Sequence, residues 1–153
     1  GEIPYQYSGQ TLPPVPIPEP LEGLVQELSS LCETPFNHIV LNRYRGCSDH
    51  MSLHADNEPE LGRNPLIAAL SLGCERIFQI VPKNKKGRYK HQRKILLENG
   101  SLLVMGGRMQ HTWRHSVPKS KGGDQERINI TFRYLRGDPG WREPRYWEKK
   151  TEN

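Results

Sequence analysis

Seven short apolar runs follow one another between residues 38 and 135, and that succession restricts the fold more than any other feature. They read "HIVLNRY", "MSLHAD", "LIAALSLG", "RIFQIV", "RKILLE", "GSLLVMGG" and "RINITFRYL". Gly, Asn or charged residues separate them, as turns separate strands. A chain patterned this way makes a strand sandwich or barrel rather than a helical bundle. The 14 glycines and 13 prolines agree with frequent turns. A length of 153 residues with 34% hydrophobic content fits one compact domain with a core of its own.

The segment before the strands differs in kind. "GEIPYQYSGQ" reads as a short strand and turn, and "TLPPVPIPEP", with five prolines, reads as an extended connector. "EPLEGLVQELSSLCE" then spaces Leu21, Leu24, Val25, Leu28 and Leu31 for one helical face, with acidic residues near its start. No internal repeat is evident. The tail "RGDPGWREPRYWEKKTEN" is polar and aromatic and reads as a poorly packed extension. The expected organisation is an N-terminal strand and Pro-rich connector over 1–20, a core over 21–136 and a basic, aromatic tail over 137–153.

A net charge of +5 and a pI near 9.2 suggest an anionic partner, nucleic acid being the commonest. Residues 82–94, "PKNKKGRYKHQRK", hold seven Lys or Arg and no acid. Such a run is either a solvated hairpin tip or a phosphate contact. Cys32, Cys47 and Cys74 form no C-x-x-C pair and read as reduced thiols, which places the protein inside the cell, nuclear or cytoplasmic. No apolar run approaches the ~20 residues of a membrane helix, and no signal peptide opens the chain. The first residue is Gly, so the expectation is a piece of a longer protein.

The chemistry gathers in three places. In "MSLHADNEPEL", His54 and Asp56 project to one side of an extended segment, so an imidazole and a carboxylate can meet one ion. "QHTWRHSVP" offers His111 and His115 as a third ligand. Two histidines and one carboxylate on one face of an ion make the facial triad of non-haem Fe(II) oxygenases, which leaves positions open for O₂ and a chelating cosubstrate. Read with a period of two, "RINITFR" places Arg127, Asn129, Thr131 and Arg133 on one face and Ile128, Ile130 and Phe132 on the other. An ordinary solvated face accounts for that pattern, but a dicarboxylate cosubstrate would need such cationic anchors, and arginine suits them through its bidentate fork.

Together, "NRY" at 42–44, "HAD" at 54–56, "LSLG" at 70–73, "GSLLVMGG", "W-R-H" and "RINITFR" resemble, in order and spacing, the AlkB family of Fe(II)- and 2-oxoglutarate-dependent dioxygenases, closest to the branch that repairs alkylated DNA. The resemblance covers roughly residues 36–135. It implies a mainly β fold with a flanking helix, a double-stranded β-helix (jelly-roll) of the Fe(II)/2-oxoglutarate oxygenase type. It also implies oxidative demethylation of N-alkylated bases, with release of succinate, CO₂ and an aldehyde. By the same resemblance His54, Asp56 and His115 match the iron ligands, His115 being favoured over His111 because Trp113 and His115 form the family's W-x-H. Arg127 and Arg133 match the arginines that hold 2-oxoglutarate, and Asn42, Tyr44 and Asn129 match polar residues lining that pocket. Six residues of strand span about 20 Å, so either the two arginines bend toward one another or strand twist brings them together.

On the substrate side, Tyr5 and Tyr7 match positions that face the nucleotide, Tyr7 for stacking on a flipped base and Tyr5 nearer the backbone. Glu58 stands near the family's acidic base reader, although Asn57 holds the preceding place. The expected cofactors are Fe(II), 2-oxoglutarate and O₂. The expected partner is alkylated DNA, with RNA as the alternative, no membrane, and a monomeric state. Further alternatives are a protein side chain as substrate, a non-catalytic nucleic-acid-binding relative, and a Zn²⁺ hydrolase using the same ligands. The family usually has more sequence upstream, forming much of the nucleotide-recognition lid.

Overall fold

The computed structural model describes residues 1, 3–7, 10–83, 91–121 and 124–136, with only the backbone at 5–7 and 10–11. The expected tail over 137–153 and most of the basic segment therefore lie outside the described residues. β1 (Tyr5–Tyr7) and β2 (Gln10–Leu12) form a small antiparallel ribbon, followed by α1 (Glu19–Leu31). The remaining strands are β3 (His38–Tyr44), β4 (Met51–His54), β5 (Ile67–Gly73), β6 (Arg76–Pro82), β7 (Arg93–Leu97), β8 (Leu102–Met105), β9 (Trp113–Val117) and β10 (Arg127–Arg133). They form two four-stranded antiparallel sheets, β3-β10-β5-β8 and β4-β9-β6-β7. Apart from β6 and β7, which follow one another in the chain, the neighbours within each sheet are not consecutive strands, as in a jelly-roll.

All seven runs contain the expected strands, and α1 packs Leu21, Leu24, Val25 and Leu28 of its expected face inward, whereas Leu31, in its last turn, is exposed. Four elements were not foreseen: β2, which pairs with β1 at the start of the expected connector, the 3₁₀ turn Pro59–Leu61, strand β9 in "WRHSV", and a one-turn helix, α2 (Met109–Thr112), in "MQHT". Helix α1 begins at Glu19, just inside the expected connector, because Pro20 fits the first helical turn and Glu19 and Glu22 meet its positive end.

Two cores result. Between the sheets lie Tyr44, Leu61, Ile67, Phe78, Leu97, Met105, Val117 and Leu135. Outside the β10 sheet, Val25 and Leu28 of α1 pack with Phe36, Ala68, Ile130 and Phe132. The apolar face of β10 is therefore covered by a helix at Ile130 and Phe132, which leaves its polar face for the interior. Burying Phe132, fully inaccessible here, removes apolar surface worth ~2–3 kcal/mol from water. Gly73 closes the β5–β6 turn with a φ of 87°, in the left-handed region that favours glycine, and a Cβ there would collide with the Glu126 carbonyl oxygen. That close approach fixes the start of β10 and hence Arg127. Among the described residues no helix is long and apolar enough to cross a membrane.

Candidate metal and cosubstrate site

The register of β4 against β9 places His54 opposite His115, with an irregularity between Met51 and His54. Their ring centroids are 4.2 Å apart. Asp56 lies two residues beyond β4, buried, with one carboxylate oxygen 3.7 Å from His54 Nε2 and the other 3.6 Å from His115 Nε2. A ligand atom from each of the three lies within 4.8 Å of the others. His111, by contrast, is exposed on α2, with Nε2 against the Arg63 carbonyl, outside the cluster. Cross-strand register thus separates the two histidines that spacing alone leaves open.

The donor set fits a divalent metal. His54 Nδ1 lies 2.8 Å from the Ser52 carbonyl, so the tautomer that donates there leaves Nε2 free to ligate. Burial, more than any charge, pushes the His115 pKa down to about 4, despite the opposing pull of Asp56. His115 is therefore neutral near pH 7 and can offer a lone pair without first losing a proton. Phe78 stacks on its ring at 5.2 Å between centroids and walls it from solvent.

The cluster opens into a cavity of about 340 Å³ between the sheets. Asn42 and Tyr44 of β3 line it, as do Arg127, Asn129, Thr131 and Arg133 of β10. Register explains the grouping, since Arg127 pairs with Tyr44 and Asn129 with Asn42. The polar face of "RINITFR" thus points inward, as expected.

Arg127 and Arg133 have different hydrogen-bond partners. Arg127 Nη2 donates to Ser71 Oγ at 2.9 Å and Asn129 Oδ1 at 3.1 Å, and Asn129 Nδ2 continues the line to Thr131 Oγ1 at 2.8 Å. Among the described residues, Nε and Nη1 of Arg127 are buried with no hydrogen-bond partner in place, although the Tyr44 phenol lies alongside. Burial lowers the Arg127 pKa, and the group stays cationic at any physiological pH. Arg133 Nη2 donates instead to Asp56 Oδ1 at 3.1 Å, joining this end of β10 to the His/Asp cluster.

Glu58 lines the cavity and is half-buried, at the entrance to the 3₁₀ turn Pro59–Leu61. Tyr5 and Tyr7 stand on β1, but their side chains lie outside the described residues. Three residues that the motifs did not single out also shape the site. Ser71 is the hydroxyl acceptor for Arg127. Arg76 is buried, donates to the carbonyls of Asp49 and Pro118 at 2.8 and 2.6 Å, and stands 5.4 Å from the centre of the Tyr44 ring, which Arg127 also approaches to 5.1 Å. Gln110 holds the backbone of Asp56. Burial sets them apart, and neither a serine inside "LSLG", an arginine at the start of β6 nor a glutamine on a one-turn helix signals that burial in the sequence. His38 stands at the start of β3, opposite Arg133.

Residues 2–133 match the 2OG-Fe(II) oxygenase superfamily. Alpha-ketoglutarate-dependent dioxygenase alkB homolog 3 of Bos taurus is 40% identical over 145 residues, covering 91% of this chain and 51% of that protein. DNA oxidative demethylase ALKBH2 of Arabidopsis thaliana is 37% identical over 154 residues, covering 88% of this chain and 48% of that protein. The solved structure of OsALKBH1 superposes with a TM-score of 0.58 at 23% identity, over 81% of this chain and 66% of that one, a likeness of fold. The chain belongs to the 2OG-Fe(II) oxygenase superfamily, as a member of its AlkB family. It spans about half the length of the curated relatives it matches.

Proposed function

We propose that this chain carries the catalytic core of an Fe(II)- and 2-oxoglutarate-dependent dioxygenase that removes N-alkyl groups from bases in nucleic acid, DNA first. The observation that carries the reading is the opening of the His54, Asp56 and His115 cluster into a cavity that also receives two buried guanidiniums. A zinc hydrolase would need the three ligands but would give Arg127 nothing to hold. A non-catalytic relative would have no reason to keep both.

His54 Nε2, His115 Nε2 and the Asp56 carboxylate would hold the metal. Bound there with 2-oxoglutarate and O₂, Fe(II) supplies the oxidising chemistry that hydroxylates an N-alkyl carbon, with release of succinate, CO₂ and then an aldehyde. Arg127 takes the carboxylate farther from the metal, through the Nε and Nη1 edge that Ser71 and Asn129 leave open. Tyr44 and Asn42 frame that end of the cavity. Arg133 serves the other end, where its bond to Asp56 orients the ligating carboxylate. Phe78 and the sheet interior exclude water from the reacting centre.

For the substrate, Glu58 at the cavity rim is the base-reading candidate, able to accept from an exocyclic amine. Tyr7 would stack on the extracted base and Tyr5 would meet the backbone, offsetting part of the unstacking cost. The basic run 82–94 would contact phosphates and position the strand without reading its sequence. The names of the relatives, one a DNA oxidative demethylase, support DNA.

The test is succinate formation from 2-oxoglutarate in air with Fe(II), with and without methylated oligonucleotide. The reading expects turnover stimulated by the methylated strand and loss of the methyl group from it. Equal stimulation by unmethylated strand would sink the dealkylase assignment, and preference for methylated RNA would move the substrate to the alternative.

A further inference from the structure

Gln110 lies on α2, is 1% exposed, and is not among the residues lining the cavity. A buried primary amide is costly unless its polar atoms are used, so its contacts show what holds it there. Its Oε1 accepts the backbone N–H of Asp56 at 3.0 Å, and its Nε2 points to the Met105 sulfur at 3.7 Å. Its own backbone carbonyl accepts from Lys83 Nζ at 2.7 Å, while the Lys83 N–H donates to the Thr112 carbonyl at 2.8 Å. Helix α2 is thus pinned at the end of β6, and its one buried side chain reaches the acidic ligand.

Asp56 needs such a partner because it lies past the end of β4, where no strand ladder fixes its backbone. Its carboxylate must nevertheless face two imidazoles and Arg133 at once. We propose that Gln110 is a positioning residue for the metal centre: by accepting the Asp56 N–H it takes the place of a strand partner and aims the carboxylate between His54 and His115. The inference rests on the metal-site reading above. Lys83, at the head of the basic run, anchors the helix that carries Gln110.

Titration of metal-free protein with Mn(II) tests it. His54→Ala reports the metal-site reading itself and should abolish tight binding; binding unchanged in that variant would sink that reading. Gln110→Met keeps the volume and loses the acceptor, and its Mn(II) dissociation constant should rise about tenfold or more. Gln110→Glu keeps an oxygen at the Oε1 position and should bind within about threefold of the parent. Unchanged binding in Gln110→Met overturns the inference while leaving the metal site standing, and so does equal loss in both variants, which would mean packing alone. Should Gln110→Met fail to fold, amide exchange in the unaltered metal-free protein decides. The Asp56 N–H should then exchange at least about a hundredfold more slowly than that of exposed Asn57. Comparable rates would overturn the inference.

Discussion

Arg127 and Arg133 stand at the two ends of β10 on the same face, and they are set in different surroundings. Arg127 is held by neutral groups, a serine hydroxyl and an asparagine carbonyl, and keeps a buried donor edge facing the cavity beside Tyr44. Arg133 already has an anionic neighbour, Asp56, in the metal cluster. An arginine bonded only to neutral oxygens, with a second cation, Arg76, nearby, has charge to spare for an anionic ligand, whereas one bonded to the carboxylate of the metal cluster supports that cluster. In the proposed reading, the same residue at a six-position spacing would build an anion seat at one end and brace a ligand at the other.

The largest effect that bears on this contrast is at the shared metal. His115→Ala should abolish tight Mn(II) or Fe(II) binding and reduce succinate formation by at least about 10³-fold, because it removes a ligand rather than a support. Retained binding would mean that the cluster is not the metal site.

The contrast itself is sharpened by two variants. Arg127→Met should weaken 2-oxoglutarate about a hundredfold or more, in line with the 2–5 kcal/mol cost of truncating a buried charge pair, while Mn(II) affinity stays within about twofold. Arg133→Met should weaken both ligands, since Asp56 loses its donor. Ser71→Ala belongs with Arg127 and should cost a few-fold in 2-oxoglutarate affinity alone, as one net hydrogen bond of about 1 kcal/mol implies. Loss of metal affinity in Arg127→Met would collapse the distinction between the two ends.

A smaller effect concerns stability at the Arg133 end. Burial, then the neighbouring Arg133 charge, lowers the His38 pKa to about 4. The folded state thus favours neutral His38, so its contribution is fully present above the unfolded pKa near 6.5 and is lost as pH falls from there toward 4. Allowing for solvent screening, the loss is on the order of 1 kcal/mol. His115 adds a parallel loss in the metal-free protein, so His38→Gln should remove roughly half of the stability change between pH 7.5 and 5 in urea unfolding. An unchanged slope would show that His38 does not titrate in this range.

How much of this was legible in the sequence follows from where period and register each apply. The period of two in "RINITFR" was enough to place Arg127 and Arg133 on one face, because strands alternate strictly. It could not say which face was interior: that depended on α1 covering Ile130 and Phe132, a tertiary contact. The pair His54 and Asp56 was readable for the same local reason. The third ligand was not fixed by spacing, since His111 and His115 are both close by, and the pairing of His54 with His115 across β4 and β9 separates them. β9 itself was overlooked because "WRHSV" carries three polar or titratable residues in its centre, Arg114, His115 and Ser116, which mask a buried strand. Gln110, Arg76 and Ser71 were missed because their roles are set by what packs over them.

The most direct test of the central claim, that one cavity holds a metal chelated beside an anion seat, is an anaerobic titration of 2-oxoglutarate into the Fe(II)-loaded protein followed by visible absorption. Chelation of a 2-oxo acid to Fe(II) gives a charge-transfer band. The account predicts a band that saturates at one equivalent, is absent in His115→Ala, and forms in Arg127→Met only at about a hundredfold higher 2-oxoglutarate. Metal binding without any band, or a band equally easily formed in Arg127→Met, would contradict it.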